Sequence, residues 1–217
     1  FKVSKNGLSR GDLSILNMLA GQMNSGFTRS IYMCEGVENF GLEEFFKNEG
    51  PVRKFVPVRS TLNIQGLADY AGVDKNIKIF NEFEFGGANG DHIYYDEKNK
   101  LIFLTYRQKV ASFASYLSII GRQADAKNVL DNFMAKVSET SLPYTVNNLD
   151  RGSILQVIEA YYRAGDKESA AKYGQRFLDN INANVKYFKD LGPKLNSNSM
   201  NVQMMNHNMQ MANYLVQ

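Results

Sequence analysis

The sequence predicts a mostly α fold: tetratricopeptide-like α-α hairpins, with a small mixed α/β module at the N-terminal side. Three observations predict it. Two stripes of apolar residues at helical spacing flank a glycine, the same arrangement returns 44 residues later (Gly121 to Gly165), and the earlier part of the chain alternates helical with strand-length patterns.

Ser9 and Asp12 have the spacing of a capping box, and Leu13, Leu16, Ala20 and Met23 then recur at helical intervals until Gly26. That pattern predicts a first helix. Arg29 to Cys34 is an apolar and aromatic run of strand length. Arg53 to Val58 is another, which Pro57 assigns to a sheet edge. Between them Gly41-Leu42-Glu43-Glu44-Phe45-Phe46 suits a short helix ended by Gly50-Pro51. A further helix is expected near Lys75 to Phe83, and the composition from Gly86 to Asp91 reads as a mobile loop. The internal boundary is placed there, giving a mixed α/β module with its loop over 1–96 and helical hairpins with a closing helix over 97–217.

In the second part Val110, Phe113, Ala114, Leu117 and Ile120 form one stripe, and Ala126, Val129, Leu130, Phe133 and Val137 form the next. Ile154, Val157, Ile158 and Tyr161 precede Gly165, and Ala170, Gly174, Phe177, Leu178 and Ile181 follow it. In both copies a large apolar residue stands before the turn glycine (Leu117, Tyr161). A small one follows the glycine (Ala126, Ala170), and an aromatic lies beyond that (Phe133, Phe177). These are tetratricopeptide spacings: glycine allows the tight reversal and the small residue allows close helix approach. The usual period is about 34 residues, so the Ser138 to Arg151 connection, with Pro143, is read as an insertion relative to the standard repeat. Such arrays need about three units or caps. The last segment is read as an amphipathic closing helix, with Val202, Met205, Met209, Ala212 and Val216 on its buried face and Asn201, Asn206, Asn208 and Asn213 opposite.

Composition narrows the function classes. With 217 residues and 44% hydrophobic content the chain can bury a real core. No window reaches the roughly 20 apolar residues of a membrane span, so a soluble fragment is expected. The formal charge of +3 is small and the bases are interleaved with acids, which argues against nucleic acid. The sequence begins at Phe1 with neither a methionine nor a secretory signal pattern, and a piece of something larger is expected.

No residue pattern points to catalysis, a metal or a cofactor. His92 and His207 are far apart and have no histidine or cysteine at ligand spacing, so both are read as surface residues. Cys34, the sole cysteine, is read as a buried small hydrophobe. Glu43 and Glu44, and Glu82 and Glu84, are read as solvated faces, and the glycine-rich loop lacks a phosphate-binding order. Phe80, Phe83, Phe85, Tyr94 and Tyr95 are assigned mainly to the core. On tetratricopeptide hairpins partners lie along the first helix of each pair, which makes Gln108, Ser115, Glu159, Tyr162 and Arg163 the candidate interaction groove.

Several runs carry a family resemblance: Gly11-Asp12-Leu13, Arg29-Ser30-Ile31-Tyr32-Met33, Gly41-Leu42-Glu43-Glu44-Phe45-Phe46-Lys47-Asn48-Glu49-Gly50 and Arg53-Lys54-Phe55-Val56-Pro57-Val58. Tyr95-Asp96-Glu97-Lys98-Asn99, Leu142-Pro143-Tyr144 and Glu159-Ala160-Tyr161-Tyr162-Arg163-Ala164-Gly165-Asp166-Lys167-Glu168 extend it. With these motifs the chain resembles the C-terminal soluble region of a family of large bacterial polytopic membrane proteins. That family carries a domain of formerly unknown function and is related to the eukaryotic transmembrane protein O-mannosyltransferases. Ser30 stands where the family often has proline, and Pro51 where it often has leucine.

The resemblance implies a parent enzyme that takes sugar from a lipid-linked donor, with catalytic acids in an early loop outside the matched region, so no catalytic residue is carried over. It implies a tail on the periplasmic side of the inner membrane. The expected partners are the membrane-embedded part of the same parent chain and an acceptor protein or peptide. The expected role is a non-catalytic accessory domain that positions the acceptor or stabilises the parent. A free-standing scaffold that binds a peptide or protein is the alternative, and an independent carbohydrate-active enzyme ranks last.

Overall fold

The computed structural model describes residues 7–34, 41–59, 69–90, 93–144, 152–192 and 200–216. The chain is mostly helical, with one small antiparallel sheet in its N-terminal part, as the patterns predict. Its contacts divide it between Ile79 and Phe80, into a unit over 1–79 and a unit over 80–217.

In the first unit, helix α1 (Arg10–Asn24) opens with the predicted capping box. Asp12 N–H donates to Ser9 Oγ at 3.2 Å, and Ser9 N–H donates to Asp12 Oδ2 at 2.8 Å. The predicted apolar stripe is not the buried one, because Leu13 is 49% and Met23 68% exposed. The helix is rotated toward Leu19, which packs on Met33, Leu42 and Phe46.

Three short strands follow: β1 (Tyr32–Met33), β2 (Phe46–Glu49) and β3 (Val52–Phe55), in the order β1-β3-β2, antiparallel throughout. Phe46 faces Phe55 and Lys47 faces Lys54 across β2 and β3, while Tyr32 faces Lys54 across β1 and β3.

Three expectations change here. The helix drawn through residues 41–46 is only a 3-10 turn, Glu43–Phe45, which leads directly into β2. Gly50-Pro51 therefore joins two strands. β3 is the central strand and not an edge. This is possible because it ends at Phe55, so Pro57 lies beyond the ladder and costs it no donor. Cys34 is exposed, because period-2 alternation turns Met33 inward and the residue after it outward.

Helix α2 (Val73–Glu82) matches the expected position. Its Asn76 is fully buried and ties the β2–β3 turn to the helix start. Gly50 N–H donates to Asn76 Oδ1 at 2.7 Å, and Asn76 Nδ2 donates to the carbonyls of Ala71 (3.1 Å) and Gly72 (2.8 Å). Nearby, buried Glu49 accepts from Tyr32 Oη (2.9 Å) and Lys75 Nζ (2.7 Å). Burial pushes the Glu49 carboxyl up, but the hydrogen bonds from Lys75 and Tyr32 and the charges of Lys75 and Lys54 outweigh it. The net effect holds the group below the usual carboxylate value.

The second unit contains α3 (Glu97–Ile119), α4 (Gln123–Lys136), α5 (Ser153–Arg163), α6 (Lys167–Asp190) and α7 (Met200–Val216). Helix α3 packs on α4 and α5, α5 on α6 and α4, and α6 on α7.

The reversal after α3 has two bonds, from Arg122 N–H to the Leu117 carbonyl (2.8 Å) and from Gly121 N–H to the Ser118 carbonyl (3.2 Å). The reversal after α5 repeats both: Asp166 N–H donates to the Tyr161 carbonyl (3.0 Å), and Gly165 N–H to the Tyr162 carbonyl (3.0 Å). This pairing satisfies the last helical carbonyls and needs a left-handed residue, and both Gly121 and Gly165 have φ +84°. The positions read as equivalent are all buried: Leu117 and Tyr161, Ala126 and Ala170, Phe133 and Phe177.

The residues just before α3 join this unit, whereas composition placed the chain's division inside the glycine-rich loop. Phe80 stacks on Phe113 (5.0 Å between ring centres), and Phe85 meets both Tyr106 (4.9 Å) and Phe133 (5.3 Å). Lys136 Nζ donates to the carbonyls of Asn81 (2.7 Å) and Phe83 (2.9 Å). The described part of the loop is anchored too, because Ala88 is fully buried and its carbonyl accepts from Ser138 N–H at 2.9 Å. Phe83 and Tyr94, assigned to the core, are 39% and 84% exposed.

The closing helix exists, with Val202, Met205 and Ala212 half-buried and Asn206 and Asn213 exposed as expected, but two positions exchange roles. Asn208 is 1% exposed and Met209 45%. Asn208 Nδ2 donates to the Met204 carbonyl at 2.9 Å, so a polar side chain sits inside with its amide bonded to its own helix. The side chains of Asn201 and Val216 and the span 145–151 lie outside the described residues.

Candidate interaction surfaces

The five groove candidates lie on α3 and α5, two helices that pack together. Seven residues apart, Gln108 and Ser115 fall on one side of α3, and both are half-buried. One turn of α5 brings Glu159, Tyr162 and Arg163 together, all exposed. Arg163 donates to Glu159 Oε1 through Nε (3.1 Å) and Nη2 (2.7 Å), and Lys167 Nζ lies 5.8 Å from the centre of the Tyr162 ring. An exposed ion pair of this kind is worth under about 1 kcal/mol, so a partner can replace either half at little cost. Tyr162, 62% exposed, offers an apolar ring with a polar tip.

A second cluster joins the two hairpins. Lys127 of α4 donates to Asp166, the N-cap of α6, and lies 3.1 Å from Asp131 Oδ2. Tyr161 of α5 donates its hydroxyl to Asp131 Oδ1 at 2.8 Å. The hydrogen bond from Lys127, followed by that from Ser169 N–H, lowers the Asp166 carboxyl to about 2. Burial, reinforced by Asp131, pushes the Tyr161 phenol well above its ordinary value, so it remains a donor at any working pH.

The connection after α4 is held from inside. Arg107 of α3 is 1% exposed, donates to the Leu142 carbonyl (2.7 Å) and Ser153 Oγ (3.3 Å), and lies 5.3 Å from the centre of the Tyr144 ring. Burial raises the Tyr144 phenol to about 12. Between α4, this connection and the middle of α6 lies a depression of about 480 Å³ lined by Asp131, Glu139, Tyr144, Lys172, Tyr173 and Arg176, among others.

Sequence reasoning missed Arg107, Lys127, Asp131 and Asp166. Only Asp166 left a signal, since Asp three residues before Ser169 is a capping spacing. Lys127 and Asp131 show no more than the ordinary i,i+4 spacing of a helical ion pair, and their other partners, like those of Arg107, lie 30 or more positions away.

The remaining candidates for chemistry are dispersed. His207 is exposed on α7, and Asp91 and His92 lie outside the described residues. Glu44 pairs with Arg59 at 3.2 Å, and Glu84 with Lys136 at 3.0 Å. Glu43 and Glu82 are exposed. Among the described residues no group of three or more His, Cys, Asp or Glu is placed to hold a metal, and no helix is long and apolar enough to cross a membrane. Comparison with protein-family models, with curated proteins and with solved structures finds no match to this chain.

Proposed function

We propose that the chain is a non-catalytic protein-interaction domain of the tetratricopeptide type, the accessory part of a membrane-bound glycosyltransferase of the protein O-mannosyltransferase kind. It acts by positioning an acceptor protein or by stabilising the membrane part. The observation that carries the interaction reading is the recurrence of one turn, bond for bond, at Gly121 and Gly165. With it, Glu159, Tyr162 and Arg163 on the first helix of the second hairpin remain exposed and Gln108 and Ser115 on that of the first are half-buried, while Val110, Leu117, Val157 and Tyr161 face inward and are buried. The link to a glycosyltransferase, and a periplasmic location, rest on the motif resemblance alone.

A photo-crosslinking residue placed at position 162, in cells expressing the whole encoding reading frame, tests the interaction surface. The expected result is a discrete protein adduct from 162 and none from exposed position 182 on α6. Adducts from both positions, or from neither, overturn the assignment. Deleting the chain from its parent tests the second part: acceptor glycosylation or parent abundance should fall, and unchanged levels of both reject the accessory role.

A further inference from the structure

The depression beside α6 contains no residue of α3 or α5, so it is separate from the groove described above. Its carboxylates are already engaged. Asp131 accepts from Tyr161 Oη at one oxygen and faces Lys127 at the other. Glu139 accepts from Asn180 Nδ2 (2.7 Å) and pairs with Arg176 Nε (3.1 Å).

Two cations balance the two carboxylates in the lining, but donors are left over. Arg176 meets Glu139 through Nε, and its Nη groups are further donors. Among the described residues Lys172 has no ion-pair partner, its ammonium lying 5.3 Å from the Tyr173 ring centre. Lys172 and Arg176 are four positions apart on α6 and hence on one side of it, beside apolar Met134, Ala135 and Val137.

We propose that this depression is a second binding site, specific for the carboxylate of an acidic peptide. An ammonium and a guanidinium one helical turn apart match a carboxylate, and the apolar strip accepts the adjoining aliphatic carbons. The site does not suit a sugar stacked on tyrosine, because Tyr173 is already stacked on Tyr161 (5.5 Å between ring centres) and contacts Lys172. It does not suit a phosphate, whose double charge would face both Asp131 and Glu139, whereas one unpaired ammonium neutralises a single carboxylate. Nothing here depends on the groove reading.

The test is a titration of the 15N-labelled whole chain with acetyl-Leu-Glu-amide, its uncharged counterpart acetyl-Leu-Gln-amide, and inorganic phosphate. The acidic peptide should produce saturable amide shifts confined to Glu139–Thr140 and Lys172–Arg176. Lys172→Met should weaken it by about tenfold, as expected for loss of one charge-assisted contact, and Lys172→Arg should restore it. Because Lys172 has no ion pair, Lys172→Met should leave the melting curve unchanged, which separates lost binding from lost fold. Equal binding of the uncharged peptide, displacement by equimolar phosphate, unchanged affinity in Lys172→Met, or no saturable shift at millimolar peptide would each overturn the proposal.

Discussion

The two hairpins of the second unit share a turn and differ in what fills it. In the first, Leu117 stands four residues before the glycine and is fully buried, and an aromatic cluster of Phe80, Phe85, Tyr106, Phe113 and Phe133 packs along the hairpin away from the turn. In the second, Tyr161 takes that position and sends its hydroxyl back to Asp131 on the first hairpin. The helix that follows is capped by Asp166, which also holds Lys127, whereas the corresponding Arg122 makes no capping bond. One hairpin thus turns without a side-chain cap, keeping its Arg122–Asp125 pair within its own second helix, and the other adds a polar clasp to its neighbour. The same backbone device can therefore end as an isolated hairpin or as a joint, according to one side chain on each side of the glycine.

The largest expected effect tests the shared part. Phe133→Ala and Phe177→Ala should each cost about 3 to 5 kcal/mol in urea unfolding, with Phe133 the greater because Phe85 and Tyr106 also lean on it. A loss at one site alone would break the equivalence. Gly121→Ala and Gly165→Ala should each cost about 1 to 2 kcal/mol, because an added Cβ meets no atom within 4 Å at either site and only the left-handed backbone is penalised. Equal values sharpen the comparison, and unequal ones would mean that the turns differ.

Asp166→Asn should cost about 1 to 2 kcal/mol at neutral pH, less than the full shift implies because Lys127 is half exposed to screening water. Since the carboxyl titrates below its ordinary 3.8, this stabilisation is complete above about pH 4 and fades as pH falls toward about 2. Melting curves of both proteins should therefore converge on acidification. The smallest effect, about 1 kcal/mol, is expected for Tyr161→Phe, which removes the hydroxyl and leaves the ring stacked on Tyr173. Loss of several kcal/mol would mean that the clasp governs the whole unit.

Those contrasts also mark what could be read from residues in order. Turn glycines, the helices on either side and the capping box at Ser9 were legible, because each is a local pattern with a local cause. Strand order was not, since nothing near Pro57 reveals that β3 stops two residues earlier with a neighbour on both edges. Periodicity identified α1 and α7 as amphipathic helices, yet it misjudged the inward flank of α1 and, on α7, the places of Asn208 and Met209, because burial depends on what a helix meets. Five groove candidates were named from a repeat pattern. The clasp and the buried Arg107 escaped notice because ordinary polar residues acquire their meaning only from distant partners.

The unequal helix lengths have a consequence of their own. At about 1.5 Å per residue, 24-residue α6 is roughly 36 Å long and 11-residue α5 only about 16 Å. Ile181 and Phe188 of α6 are buried beyond the stretch that α5 can cover, and α7 is the other helix packed on α6. The second hairpin is therefore uneven, and its longer helix makes contact with α7 as well as with its own shorter partner.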